Sequence, residues 1–377
     1  MIDLLESKYG CCGCAACESI CPKGAITMKP DEEGFDYPSV DGEKCIDCGK
    51  CKTVCPYRVL PKDKSSSPKT FAVKHRDDKV RSVSRSGGVF AAIAADVLKQ
   101  GGFVFGAGFG KDNTVEHKCI SKIEDLQDLQ GVKYTQSNTS GVYPKVKEHL
   151  QNNKKVFFSG TPCQVAGLLN FLGSLSDSEN LITADLVCHG VPSPRFYKDY
   201  INFYEKKYGG KIEKVSFRDK EYGWQAHFET FVINGKKYTD NKLRILFYKH
   251  LIIRSGCGNC QFARVPRVAD LTLADAWGIK QYKPQFDDKK GVSLILLNSE
   301  KGIKAFDSVK DKLEVIPMPI EKCPHQNLRH PSKLSANREK MWNDYFKNGF
   351  EYVVKKYGVP DKKSKLKDFL IKHKLYK

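Results

Sequence analysis

Cys11-Cys12-Gly13-Cys14-Ala15-Ala16-Cys17-Glu18-Ser19-Ile20-Cys21-Pro22 returns with the same cysteine spacing in Cys45-Ile46-Asp47-Cys48-Gly49-Lys50-Cys51-Lys52-Thr53-Val54-Cys55-Pro56. In each copy three thiols, two residues apart, are followed three residues later by Cys-Pro. Thiolates this close on a tight loop wrap three corners of an iron–sulfur cubane, and the fourth corner comes from the distant copy. The pattern therefore assigns Cys11, Cys14, Cys17 and Cys55 to one 4Fe-4S cluster, and Cys45, Cys48, Cys51 and Cys21 to a second. A zinc module would use four ligands in two spaced pairs rather than triplets with a Cys-Pro. Residues 1–61 are thus expected to form a bacterial-type ferredoxin domain of α+β class. Cys12 falls outside both spacings and reads as a bystander.

The rest of the chain must accommodate a strongly basic balance. Over 377 residues the net charge is +19, with 40% hydrophobic and 28% charged residues. These are globular values, and the length suits two or three domains. Residues 1–61 carry 7 basic and 10 acidic side chains, whereas residues 332–377 carry 13 and 5, so an acidic head precedes a basic body and tail. Anionic partners suit that body: an acidic redox protein or an anionic small-molecule substrate, with nucleic acid a weaker reading. No apolar run approaches the roughly 18 residues of a membrane span. Met1-Ile2-Asp3-Leu4 lacks the basic-then-apolar order of an export signal. Fifteen cysteines without such a signal point to metal or redox chemistry in a reducing compartment, so a cytoplasmic location is expected.

Residues 62–69 are polar, small and proline-flanked, and read as a linker. From residue 70 strands and helices alternate. Strands are expected at Thr70–Val73, Gly102–Gly106, Lys155–Ser159 and Leu181–Val187. Helices are expected at Gly88–Gln100, Ile123–Gly131, Gly141–Gln151, Cys163–Leu172 and Pro194–Tyr208. This is α/β layering. Lys214–Phe217, Ala226–Ile233, Leu271–Ala274 and Val292–Leu297 add strands without long helices between them, which predicts a mixed sheet. The tail, 332–377, reads as basic and helical, suited to a solvated face or a peripheral membrane contact. Tyr345, Phe346, Phe350 and Tyr352 lie near its lysines, as base-stacking residues or as one side of an amphipathic helix.

Four body cysteines stand at expected strand ends or turns: Cys163, Cys188, and the pair Cys257 and Cys260. They supply enough thiols for a third cubane, and equally for a structural zinc, a redox dithiol or inert buried thiols. Cys119 and Cys323 have no partner motif and read as core, as does Trp277; Asp275 stays open. Arg85-Ser86-Gly87-Gly88 opens a helix. Glycines and a helix N-terminus there suit an anion or an ordinary cap. Tyr134–Ser140, with Gln136 and Ser137, is polar and suits capping or a cofactor contact. His189 reads as structural. No Walker loop or Ser-His-Asp order appears, and no catalytic residue is assigned.

The order of these features resembles the family of beta subunits of coenzyme F420 hydrogenases and dehydrogenases. It comprises the double ferredoxin motif, Ser86-Gly87-Gly88, Gly160-Thr161-Pro162-Cys163-Gln164, Cys188–Pro194, Phe217–Lys220 with Gly223-Trp224, Cys257-x2-Cys260 and Ala269–Gly278. The resemblance covers most of the chain to about residue 330. It implies an FAD-bearing α/β domain over 70–331 and a third 4Fe-4S cluster on Cys163, Cys188, Cys257 and Cys260. It also makes the Ser86–Gly88 turn a better flavin-phosphate candidate, so that Arg85, Ser86, Gly87, Gly88, Gln136 and Ser137 together are the expected flavin contacts. The expected function is an iron–sulfur flavoprotein oxidoreductase passing electrons between the clusters and a hydride-type substrate at FAD, coenzyme F420 or another organic acceptor. A ferredoxin or another redox protein is the expected partner. The alternatives are an electron-transfer subunit of a larger complex without its own substrate site, and a nucleic-acid-binding iron–sulfur protein.

Overall fold

In the computed structural model, residue 4 and residues 7–372 are described. Residues 1–3, read above for an export signal, and the last residues of the basic tail, 373–377, lie outside the described residues. The head holds one short hairpin, β1 (Ile26–Pro30) and β2 (Asp36–Val40), paired antiparallel. The short helices Ala16–Ile20 and Lys50–Thr53 carry Cys17 and Cys51. Cysteine loops this short leave few apolar residues, and the head's own cluster is Leu4, Ile26 and Cys51.

The body is built on an eight-stranded sheet. Its strands are β3 (Lys69–His75), β4 (Phe103–Phe109), β5 (Val115–Ile120), β6 (Val156–Gly160), β7 (Leu181–Leu186), β11 (Leu271–Asp275), β12 (Ser293–Leu297) and β13 (Leu313–Pro317), in the order β13-β3-β12-β11-β7-β6-β4-β5. A second, antiparallel sheet of β8 (Ile212–Ser216), β9 (Glu229–Ile233) and β10 (Lys236–Asp240) stands apart. In the main sheet β4, β6, β7 and β11 run parallel, and the outer strands are antiparallel. The mixed sheet is as expected, with two differences. Leu271–Asp275 is a parallel neighbour of β7, and the strands near 214 and 230 belong to the separate sheet.

The central strands are buried on both faces, and alternate residues separate the two cores. Phe157 and Ile182 face helix Val89–Lys99, whereas Val156, Phe158 and Leu181 face helices Val142–Gln151 and Pro162–Leu172. That second core also takes in Cys12, Cys14, Ala16 and Val54 from the head, so the first cysteine loop is packed into the body.

Two expectations change. The segment read as a linker is strapped down: Lys64 N donates to Arg267 O at 2.8 Å, Ser65 N to Asn298 O at 3.0 Å, and Asp63 pairs with Arg264. Its backbone polar groups find protein partners instead of water. The tail forms helices Arg338–Tyr357 and Lys362–Lys372, with Gly349 non-helical at φ +81. Tyr345 is buried, and Phe350 packs on Phe196 at 5.0 Å, so these two rings are committed to a core shared with helix Pro194–Tyr208. That takes them out of any base-stacking surface. Among the described residues no helix is long and apolar enough to cross a membrane.

Candidate functional site

The head thiols gather in two sets. Cys21, Cys45, Cys48 and Cys51 line one small cavity together. Cys17 lies among Cys14, Cys11 and Cys55; burial pushes its thiol up, and those three sulfurs push it further. Both sets are the ones the spacing assigns. Backbone N–H groups point at the sulfurs, from Gly13 to Cys11 at 3.4 Å and from Ala25 to Cys21 at 3.2 Å. Such bonds tune cluster potentials.

The body thiols converge although up to 97 positions separate them in sequence. Cys163 follows β6, Cys188 follows β7, and Cys257 and Cys260 lie in the loop 255–268. All four line one cavity with Cys12. Arg267, 2% exposed, clamps that loop: it donates to Phe262 O at 2.8 Å and to Leu186 O, at the end of β7, at 2.9 Å. Burial and then the neighbouring Cys163 push the Cys260 thiol up to about 11, and burial pushes Cys257 up to about 12. Four thiols buried side by side cannot ionise without a compensating cation. Among the described residues no three His, Cys, Asp or Glu side chains meet closely enough for a single metal ion. The donor set, four sulfurs around a shared space, fits an iron–sulfur core.

Beside this cavity lies a cleft of about 300 Å³ at the carboxyl ends of β4, β6, β7 and β11, where open α/β sheets bind ligands. Cys188, Gly190 and Val191 border both spaces. Arg85 lines the cleft. Its Nη2 donates to Trp224 O and lies 3.6 Å from Asp275, but its buried Nε and Nη1 have no hydrogen-bond partner among the described residues. Unpaired guanidinium N–H groups beside a helix N-terminus fit a phosphate. Gly88, at φ +88, caps helix Val89–Lys99, and Lys220 Nζ holds the preceding loop by Arg81 O, Ser86 O at 3.1 Å and Lys290 O at 2.9 Å.

The predicted flavin contacts divide. Arg85, Ser86, Gly88 and Ser137 line the cleft. Gly87 does not: a Cβ there would lie 2.0 Å from Val73 O, so its glycine serves close packing of the turn on β3. Gln136 does not either. Its Nε2 donates to Cys12 O at 2.9 Å and its Oε1 accepts from Arg254 at 3.1 Å, which commits it to the head–body contact.

Other readings are corrected. Cys12 is no bystander but lines the body cavity. Cys119 is exposed, whereas Cys323 is buried as expected. Trp277 is half-buried and lines the cleft, stacked on Trp224 at 5.1 Å and 8° with Arg218 over its ring. Asp275 pairs with Arg218 at 2.6 Å. His189 and His325 also border the cleft, their rings 6.3 Å apart, and burial lowers His189 to about 4. His117, lowered by burial to about 4, sits between Ser137 Oγ at 2.9 Å and Ser159 O at 3.0 Å. Arg218 and Trp277 stood in motifs quoted above, which was their only signal. Arg254, and Tyr248 in the cleft wall, carried none.

A ferredoxin-type head docked by its first cysteine loop onto an α/β body with a thiol-lined cavity defines an iron–sulfur electron-transfer protein. Residues 10–59 match the 4Fe-4S dicluster domain, and residues 153–321 match the family described as the C terminus of the coenzyme F420 hydrogenase/dehydrogenase beta subunit. The chain thus carries that family's C-terminal domain over 153–321 and a 4Fe-4S dicluster domain at its N-terminus. It is 23% identical over 327 residues to the F subunit of F(420)H(2) dehydrogenase from Methanosarcina mazei, covering 82% of this chain and 85% of that one. It is 24% identical over 351 residues to the coenzyme F420-dependent sulfite reductase of Methanocaldococcus jannaschii, covering 89% of this chain but 51% of the relative, about half its length. A chain in the solved F420-reducing [NiFe] hydrogenase complex from Methanosarcina barkeri aligns over 78% of this chain and 94% of its own length, at 16% identity and a TM-score of 0.48.

Proposed function

We propose that this chain is the flavin-bearing, three-cluster subunit of an oxidoreductase that exchanges a hydride with a deazaflavin such as coenzyme F420, or a similar organic carrier, and passes the electrons to a redox partner protein. The observation that carries this reading is the shared wall of the two spaces. Cys188, Gly190 and Val191 separate the cleft from the thiol cavity by one layer of residues. FAD bound in the cleft would supply the conversion between two-electron hydride chemistry and one-electron transfer.

The chain's own groups have definable parts. Arg85 offers its two unpaired N–H groups to the cofactor pyrophosphate beside the N-terminus of helix Val89–Lys99. Trp277, fixed by stacking on Trp224 and by Arg218 over its ring, gives the cleft wall an apolar edge against which a planar ring can pack. His325 Nε2 donates to Asp275 O at 2.7 Å, which fixes its ring at the cleft wall. Cys163, Cys188, Cys257 and Cys260 hold the body cluster. The first head set follows it and the outer set, with exposed Cys48, comes last.

The test is anaerobic purification of the full chain with iron, sulfide and flavin quantified, followed by reduction with reduced F420, NAD(P)H and reduced ferredoxin in parallel. The reading requires about twelve irons, by the three-cubane pattern, and one FAD. It also requires bleaching by a hydride donor that reaches the head clusters only when Cys163 is intact. About eight irons and no flavin would instead support the relay subunit without a substrate site. The Methanosarcina mazei relative is named as one component of a dehydrogenase, and that name favours a partner protein in either case.

A further inference from the structure

We infer that the Tyr248 hydroxyl is the hydrogen-bond donor that orients the organic hydride carrier, by a carbonyl oxygen on the carrier's planar ring, and that His227 is its positioning residue. The assignment rests on the flavin-bearing reading above and adds the residue that meets the second molecule. Tyr248 lines the cleft and is 42% exposed. Arg85 lines the same cleft, with its side chain only 11% exposed. A cofactor phosphate held by Arg85 therefore sits inward, and a carrier that comes and goes enters past Tyr248.

Polar groups run in line to that hydroxyl. Asp275 Oδ2 accepts from Arg218 Nη1 at 2.6 Å, Arg218 Nη2 lies 3.2 Å from His227 Nε2, and His227 Nδ1 lies 3.1 Å from Tyr248 Oη. The rings hold the line in place. His227 stacks on Trp277 with centroids 6.0 Å apart and meets Tyr248 edge-on at 5.3 Å. Tyr248 ends helix Lys242–Tyr248, whose Leu243, Leu246 and Phe247 are buried in the body.

The direction of the line is set at its inner end. An arginine only donates, so His227 Nε2 is the accepting nitrogen and the proton of the neutral imidazole is on Nδ1. Nδ1–H then donates to Tyr248 Oη, and the hydroxyl's own hydrogen turns away from His227. No hydrogen bond to another described residue takes it up. Each donor in the series strengthens the next, with the Arg218 charge behind them. A carbonyl oxygen complements such a hydroxyl. Planar hydride carriers present one near the carbon that takes the hydride, as a ring carbonyl in a deazaflavin and as a carboxamide in a nicotinamide.

The experiment compares the anaerobically purified full chain with Tyr248→Phe, His227→Phe and the double variant. FAD and iron are quantified first, and binding of oxidised F420 and of NAD is then measured by equilibrium dialysis, without turnover. The expected result is that wild type binds one of the two carriers and that Tyr248→Phe weakens it about fivefold, the loss of one net hydrogen bond, with FAD and iron unchanged. His227→Phe weakens it by a similar or smaller factor and adds nothing in the double variant, because it acts through the hydroxyl. Equal affinity in Tyr248→Phe overturns the proposal, as does full additivity of the two substitutions. Loss of FAD in Tyr248→Phe would place the hydroxyl on the cofactor and also overturn it. A wild type that holds FAD but binds neither carrier sinks the role of Tyr248 while the flavin reading stands. A wild type without FAD removes that reading and the proposal together.

Discussion

Arg254 Nη2 lies 3.4 Å from Cys11 Sγ, although 243 positions separate the two residues in the chain. The guanidinium is 1% exposed and sits over the Tyr37 ring at 4.1 Å, so this is a buried, desolvated cation against the Cys11 sulfur. Its remaining N–H groups go to Cys11 O, Asp36 O and Gln136 Oε1. One residue of the body thereby ties head to body and places positive charge beside the sulfur of the proposed first head cluster.

Arg254→Met removes both effects at similar volume. The midpoint of the first head cluster should fall while that of the outer head cluster stays, read by potentiometric titration. Unfolding in urea under anaerobic conditions should show a loss of about 3 kcal/mol, from charge-assisted bonds no longer made and backbone carbonyls left unpaired.

Cys257→Ser should cost the body cavity its cluster. Iron should fall by about four per chain with both head spectra retained, since the head thiols form their own sets. Iron equal to wild type with identical spectra would show that Cys257 is not a ligand.

Arg85→Ala should weaken flavin binding about tenfold or more, the loss expected when a charge-assisted hydrogen bond to phosphate is removed. Fluorescence titration of the reconstituted protein measures it, and iron content should not change. An equal affinity in Arg85→Ala would move the phosphate site away from this turn.

His117 gives a pH signature. Its imidazole is held neutral by burial, with its pKa lowered from 6.5 to about 4. The unfolded chain therefore takes up this proton first as pH falls. Stability tied to His117 is complete above pH 6.5 and declines between 6.5 and 4, by roughly 3 kcal/mol in all. Comparing urea midpoints at about pH 7 and about pH 5 should show a smaller pH dependence in His117→Gln than in wild type.

The cysteine repeat was readable because its geometry is local. Three thiols within seven residues can meet one cubane whatever the rest of the chain does. The helices over 88–100, 141–151 and 194–208 were readable from their apolar periodicity and their glycine, serine and proline ends. Strand β5 was not read, since Glu116, His117 and Lys118 interrupt its apolar residues and only one side is covered. Leu271–Asp275 was recognised as a strand but not as the parallel neighbour of β7, because strand order follows from how the layers pack. The polar run Tyr134–Ser140 suits capping or a cofactor contact by sequence, and local spacing does not say which side chain faces where. In the structure Gln136 and Thr139 reach the head loop, while Ser137 turns to His117 and the cleft.

The sequence alone determined the two head clusters, the α/β body and the four body thiols at loop ends, each a matter of spacing along a few residues. Only the tertiary structure decided that Cys12 stands between two thiol sets, that Arg254 rests on Cys11, that Gln136 serves the docking contact, and that Trp277 lines a cleft. Those placements join segments a hundred or more positions apart. Burial of the sheet faces and satisfaction of buried polar groups bring such segments together, and neither leaves a mark in local spacing.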